Sequence, residues 1–259
     1  MCKSFKAIFL LIPFVILLIV GANVASAEDL NKVFTNANQA YQKGQYENAI
    51  KSYESILAQN KESYDLYFNL GNAYYKTGNI PKAILNYERA KTLEPNDEDV
   101  LFNLGMSNLK VTDKIDVLPE FFLNSWWKDI SESKSSNFWA WITILLFWLV
   151  FFTIVLFLMV RSENFKRLSL AGIILSLVLF GFCFLLASHQ YQHQAHSKHA
   201  IIFSPNLYVK SSPTAKSTDL FILHEGTKVK ILDEVGTWRK IRIANGNEGW
   251  TEAEGLEII

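Results

Sequence analysis

Four histidines follow the second long apolar run of this chain: His189, His193, His196 and His199, at spacings of four, three and three. If helix continues through them, their imidazoles share one broad face, and imidazole either ligates a transition metal or changes charge near neutral pH. No acidic second shell stands nearby to orient the rings, so a polar helix extension or linker is the plainer reading and no resident metal is expected. Other reactive patterns are missing. The chain has no G-x-S-x-G elbow, no phosphate-binding loop, no H-E-x-x-H pair and no C-x-x-C, so neither a nucleophile nor a metal-activated water has a recognisable holder. Cys2 and Cys183 both lie in apolar segments, which excludes a disulfide scaffold. The formal net charge is zero, so nucleic acid finds no electrostatic footprint. A non-enzymatic protein without cofactors is expected, and the question becomes what it binds.

The side chains suited to binding recur with a period of 34 residues. Phe34, Phe68 and Phe102 share one register, as do Asn38, Asn72 and Met106, then Tyr41, Tyr75 and Leu109. Gly44 pairs with Gly78, Ala49 with Ala83, and Tyr53 with Tyr87. A period of this length means stacked helical hairpins. Within the clearest unit, Gly71 and Ala83 let two helices approach, Tyr87 fills the space between them, Gly78 suits a left-handed cap, and Pro95 cannot continue the second helix. These markers resemble the tetratricopeptide repeat, with repeats at 30–63 and 64–97 and a half-repeat at 98–112 inside a domain spanning 28–112. The first repeat departs from the pattern at Ile56 and Lys61, which stand where the second has Ala90 and Pro95.

The resemblance implies that the first helix of each repeat lines a peptide-binding groove. That face carries Phe34, Asn38, Tyr41, Phe68, Asn69, Asn72, Tyr75, Phe102, Asn103 and Met106. Asn38 with Asn69, and Asn72 with Asn103, are similar to the asparagine pairs by which peptide-clamping members hold a backbone. Members that hold a terminal carboxylate have lysine where Phe34 and Phe68 stand, so an internal or apolar segment is the implied ligand. The alternative is that these side chains pack within an undersized stack, since about three repeats are usually needed for stability.

Lys3 and Lys6 precede an apolar run over 7–20, and Ala25-Ser26-Ala27 has the small-x-small form of a cleavage site. Residues 1–27 therefore read as an export signal, with an uncleaved anchor as the alternative. Two further runs, 138–160 and 168–187, hold 23 and 20 residues without a charge. At about 1.5 Å per residue each is long enough for a hydrocarbon core of about 30 Å. The short bend 161–167 carries Arg161, Lys166 and Arg167 against Glu163, which places it in the cytoplasm and both soluble ends on the exported side. A bend of that size has no room for a catalytic or nucleotide-binding domain. No Asp, Glu, Lys, Arg or His lies within either run, so no transport path is expected.

Between repeats and membrane, the segment 113–137 contains Leu118, Phe122, Trp126 and Ile130 at intervals of four. This connector reads equally as an amphipathic helix on the membrane surface or as a longer cap on the last repeat. The residues 188–199 form the histidine-containing linker. From 200 to 259 the pattern alternates, and Asn245-Gly246 is a tight-turn signal. The runs LYVKSSP, HEGT, TWRKIRI and NGNEGW resemble the bacterial SH3-like domain, which implies a small all-β barrel and a ligand face at Tyr208, Trp238 and Trp250. In a barrel this small the two tryptophans serve equally as core.

The whole order of signal, helical repeats, two-helix membrane hairpin and SH3-like barrel resembles the BatE proteins of the bacterial Bacteroides-aerotolerance operons. That resemblance implies a two-pass protein of the bacterial inner membrane with both domains in the periplasm. It also implies partners among von Willebrand factor A-domain membrane proteins and a MoxR-type AAA ATPase system, and a link to aerotolerance, oxidative stress or the envelope. Alternative readings are a cell-wall-binding accessory, with peptidoglycan as ligand, and a metal or pH sensor.

Overall fold

The computed structural model describes residues 30–116, 126–127, 130–131, 133–134, 136–196 and 198–259. The expected export signal, and Leu118 and Phe122 of the expected amphipathic connector, lie outside the described residues. The chain divides into two compact units, Met1–Asn79 and Ile80–Ile259.

The first unit holds three helices: α1 over residues 30–42, α2 over Tyr46–Leu57 and α3 over Tyr64–Thr77. In α2 the buried residues Ala49, Ile50, Tyr53 and Ile56 fall on one stripe, the spacing that lets a helix bury a single face. Ser63 caps α3 by accepting from the Leu66 N–H, which satisfies one of the orphan donors of the first turn. At the other end Gly78 takes φ 82°, the left-handed conformation in which a Cβ is strained. Its own N–H closes onto the Tyr74 and Tyr75 carbonyls.

The second unit begins with α4, Ile80–Leu93, and α5, Glu98–Asn108. Asp97 caps α5 through the Val100 N–H at 2.9 Å. No glycine ends that helix. Instead the Lys114 ammonium donates to the carbonyls of Leu109 and Val111, both at 2.9 Å, and a cation there also opposes the negative end of the helix dipole. Helices α6, Ser136–Met159, and α7, Glu163–His196, follow. Phe147 meets Phe180, with ring centres 6.3 Å apart, and Thr153 meets Gly172; the order of these pairs makes the two helices an antiparallel hairpin. Gly172 faces that seam, and Ser176 one turn on is buried.

Two boundaries differ from the sequence reading. The bend expected over 161–167 shrinks to 160–162, because α7 starts at Glu163, where an acidic first turn suits the helix N-terminus. The second apolar helix also runs past 187 to His196, since nothing in HQYQHQAH breaks a helix.

The C-terminal part is a seven-stranded antiparallel sheet in the order β3-β2-β6-β5-β4-β1-β7. Its strands are β1 His199–Ile202, β2 Leu207–Lys210, β3 Asp219–Leu223, β4 Lys228–Val235, β5 Trp238–Arg242, β6 Glu248–Glu252 and β7 Leu256–Ile258. One aliphatic core lies inside it: Ala200, Ile202, Leu207, Val209, Leu223, Val229, Ile231, Ile241 and Ile243. Alternation along β2 and β6 sends Leu207, Val209, Gly249 and Thr251 inward and Tyr208, Trp250 and Glu252 outward. Neither tryptophan belongs to the core, which is filled by β-branched and leucine side chains.

Candidate functional site

In the first unit the nominated residues are half-buried. The Asn38 carbonyl oxygen accepts two hydrogen bonds, from the Tyr53 hydroxyl at 2.6 Å and from the Asn69 amide at 3.2 Å. The pairing of Asn38 with Asn69 is thus an internal strut between α1 and α3 as well as a polar spot on that face. Burial, with Tyr41 adding to it, pushes the Tyr53 phenol up to about 12, so it stays a donor to Asn38 at any physiological pH. Phe34 packs its ring 5.8 Å from that of Tyr53, and Phe68 stacks on Tyr64 at the same separation. Tyr41 stands edge-on to Tyr46.

In the second unit, α5 buries Val100, Leu104 and Ser107 and turns its other side outward. Phe102 is 67% exposed, Met106 40% and Leu109 70%. These three, at intervals of four and three, form an apolar row that nothing described covers. Asn103 is half-buried beside it.

The sheet is held to the repeat helices of the same unit by a set of polar contacts. Asp113, just beyond α5, accepts three bonds at 2.7 Å: from the His224 N–H, the His224 ring Nδ1 and the Thr227 hydroxyl. Burial would raise the Asp113 carboxyl, but these bonds outweigh it and hold the group below its ordinary value. On α4, Glu88 pairs with Lys228 of β4 at 2.7 Å, and Arg89 donates to the Ile258 carbonyl at 2.9 Å. Between these contacts a Cβ on Gly226 would come within 3.0 Å of Val111 and 3.5 Å of Ile84. Of these residues only the HEGT turn had a signal in the sequence. Asp113 and Glu88 had none, because their partners lie more than 100 residues away.

Tyr208 and Trp238 line a cavity of about 530 Å³ beside β2 and β6. Trp250, nominated with them, does not line it. Glu252, Glu254, Asp219, Lys210 and Thr251 do, and the sequence reading had named none of these.

The four histidines do not all lie on one helix, the condition for the shared face of the metal or pH-sensing alternative. His199 leaves the helix and begins β1, opposite Lys230, because the alternating run His199–Ile202 has an inward apolar side to bury. His189 lies on α7 with its ring 5.8 Å from Trp127. His193 and His196 fall on α7, and the placement of their side chains is outside the described residues. Among the described residues no cluster of three metal-capable side chains exists.

Residues 34–98 match the tetratricopeptide repeat family, and residues 205–257 match the bacterial SH3 domain family. No curated protein matches the chain. The chain therefore carries two interaction modules, a tetratricopeptide repeat region and a bacterial SH3 domain. It also carries two helices, Asn137–Met159 and Glu163–His189, long and apolar enough to cross a membrane. No catalytic domain is matched.

Proposed function

We propose that this protein is a membrane-tethered scaffold that holds protein partners through the first-helix faces of its repeats, with α6 and α7 as a two-pass anchor. The observation that carries the reading is the uncovered apolar row Phe102, Met106 and Leu109 on α5. Burying one such side chain contributes about 1.5–3 kcal/mol, so the row favours an added apolar surface. Phe34, Asn38, Tyr41, Phe68, Asn69, Asn72 and Tyr75 supply the corresponding faces of α1 and α3, and Asn103 the polar edge of α5.

Two features support the membrane placement. The hairpin helices present apolar side chains outward along most of their length, which suits lipid. The contacts of α4 with β4 and β7 support a placement of both soluble ends of the hairpin on one side, opposite Arg161, Lys166 and Arg167. With the bend in the cytoplasm, that side is the periplasm of a bacterial inner membrane. The resemblance of the architecture to BatE proteins supports partners of the von Willebrand factor A class in a system served by a MoxR-type ATPase, and an envelope or oxidative-stress role.

The test is Phe102→Ser with Met106→Ser, followed by crosslinking in native membranes and recovery of partners. Both residues are exposed, so stability should move by no more than about 0.5 kcal/mol while partner recovery falls several-fold. Undiminished recovery would remove the α5 face from the proposal.

A further inference from the structure

The cavity beside Tyr208 exists because two neighbouring strands part company. β2 and β6 are joined at Lys210 and Trp250, and in an antiparallel ladder the next outward-facing pair would be Tyr208 with Glu252. That bridge is not formed. At the closed end, Gly249 brings β6 so near β2 that a Cβ there would lie 2.4 Å from Val209 Cγ1. Close approach at one end and divergence at the other open a wedge, and the cavity occupies it.

Its lining has a definite chemistry. Tyr208, 52% exposed, forms one aromatic wall. Trp238, which stands opposite Glu252 in the β5–β6 ladder, forms another. Lys210 is neutralised by Asp219 at 2.6 Å. Glu252 and Glu254 remain, and neither enters an ion pair among the described residues. An ammonium group satisfies all of this: two carboxylates take its charge, and the aromatic faces attract it and pack its aliphatic stem. An anion would meet two like charges, and a purely apolar group would leave both carboxylates without a counter-charge.

We propose that this wedge is a binding site for the basic side chain of an extended peptide, with Glu252 and Glu254 receiving the ammonium and Tyr208 and Trp238 clasping its methylene stem. The site deepens the scaffold reading by giving the SH3 domain its own ligand class, yet it is independent of the α5 face. Its direction of selectivity is fixed by charge and is reduced by salt, because the carboxylates are exposed.

The test uses the full chain in lipid nanodiscs and dye-labelled Gly-Ala-X-Ala-Gly peptides, where X is lysine, norleucine or glutamate, read by fluorescence anisotropy. The lysine peptide should bind at least tenfold more tightly than the norleucine peptide, and the glutamate peptide more weakly still. Glu252→Gln with Glu254→Gln should abolish that preference, and Tyr208→Ala should weaken lysine binding. Phe102→Ser should leave it unchanged, so that loss of the α5 partner and loss of this site are read separately. Equal binding of lysine and norleucine peptides, binding unaffected by the double glutamine variant, or no binding of the lysine peptide at millimolar concentration would each overturn the proposal.

Discussion

Asp113 shows how much one side chain can hold. It reaches from the end of α5 to a turn of the sheet and satisfies a backbone N–H, an imidazole nitrogen and the hydroxyl of the buried Thr227. Hydrogen bonds to a charged acceptor are the stronger class, and removing the acceptor leaves buried donors unpaired. Asp113→Ala should therefore cost about 2–3 kcal/mol, measured by denaturant unfolding, with faster amide exchange at His224 and Thr227. The pH dependence has a definite sign. A carboxyl held below its unfolded value contributes stability above the ordinary aspartate range, and that contribution is lost as pH falls through the folded value. Unfolding midpoints of the native chain should fall on acidification below about pH 4, more steeply than those of Asp113→Asn.

At the scale of elements, α4 and β4 are joined by an ion pair of unequal burial. Glu88 is 8% exposed as a residue, whereas the Lys228 side chain is 39% exposed. Deleting the lysine strands a carboxylate in a poorly solvated place, so Lys228→Met should cost about 1–3 kcal/mol. Glu88→Gln in the same chain should recover most of the loss, and a double-mutant cycle on unfolding free energies measures the coupling. Additive effects would show that the pair contributes nothing beyond its separate members. The elements themselves were largely legible beforehand. The 34-residue period located α2 and α4 through Ala49, Tyr53, Ala83 and Tyr87, and α3 and α5 through Phe68 and Phe102, and alternation marked 200–259 as strands. His199 was misplaced because its spacing from His196 is helical, while the inward side of β1 is visible only once β4 and β7 flank it.

For the whole molecule, the proposed two-pass anchor has the chain enter and leave the hairpin on one face of a bilayer, an arrangement with which the α4 contacts of the sheet agree. Protease added to intact spheroplasts should cut both the repeats and the SH3 domain, and leave a protected fragment containing 136–189. Replacing Arg161, Lys166 and Arg167 with glutamine should weaken that orientation, since the basic bend supplies the asymmetry. Protection of either soluble part before lysis would contradict the two-pass topology. The candidate site was legible only in part at this scale: Tyr208 and Trp238 stood out as aromatics, while nothing in TEAEG marked Glu252 and Glu254.

Local periodicity was enough to write down the repeat helices, the two apolar helices and several strands, because burying one face of a helix or strand imposes a spacing that survives in the linear chain. Tertiary structure alone decided which distant groups meet. Asp113 with His224, Glu88 with Lys228 and the parting of β2 from β6 all depend on register and packing across more than 30 residues. No short-range pattern encodes such pairings, since a hydrogen bond or a wedge between strands needs only position, and position is set by the fold as a whole.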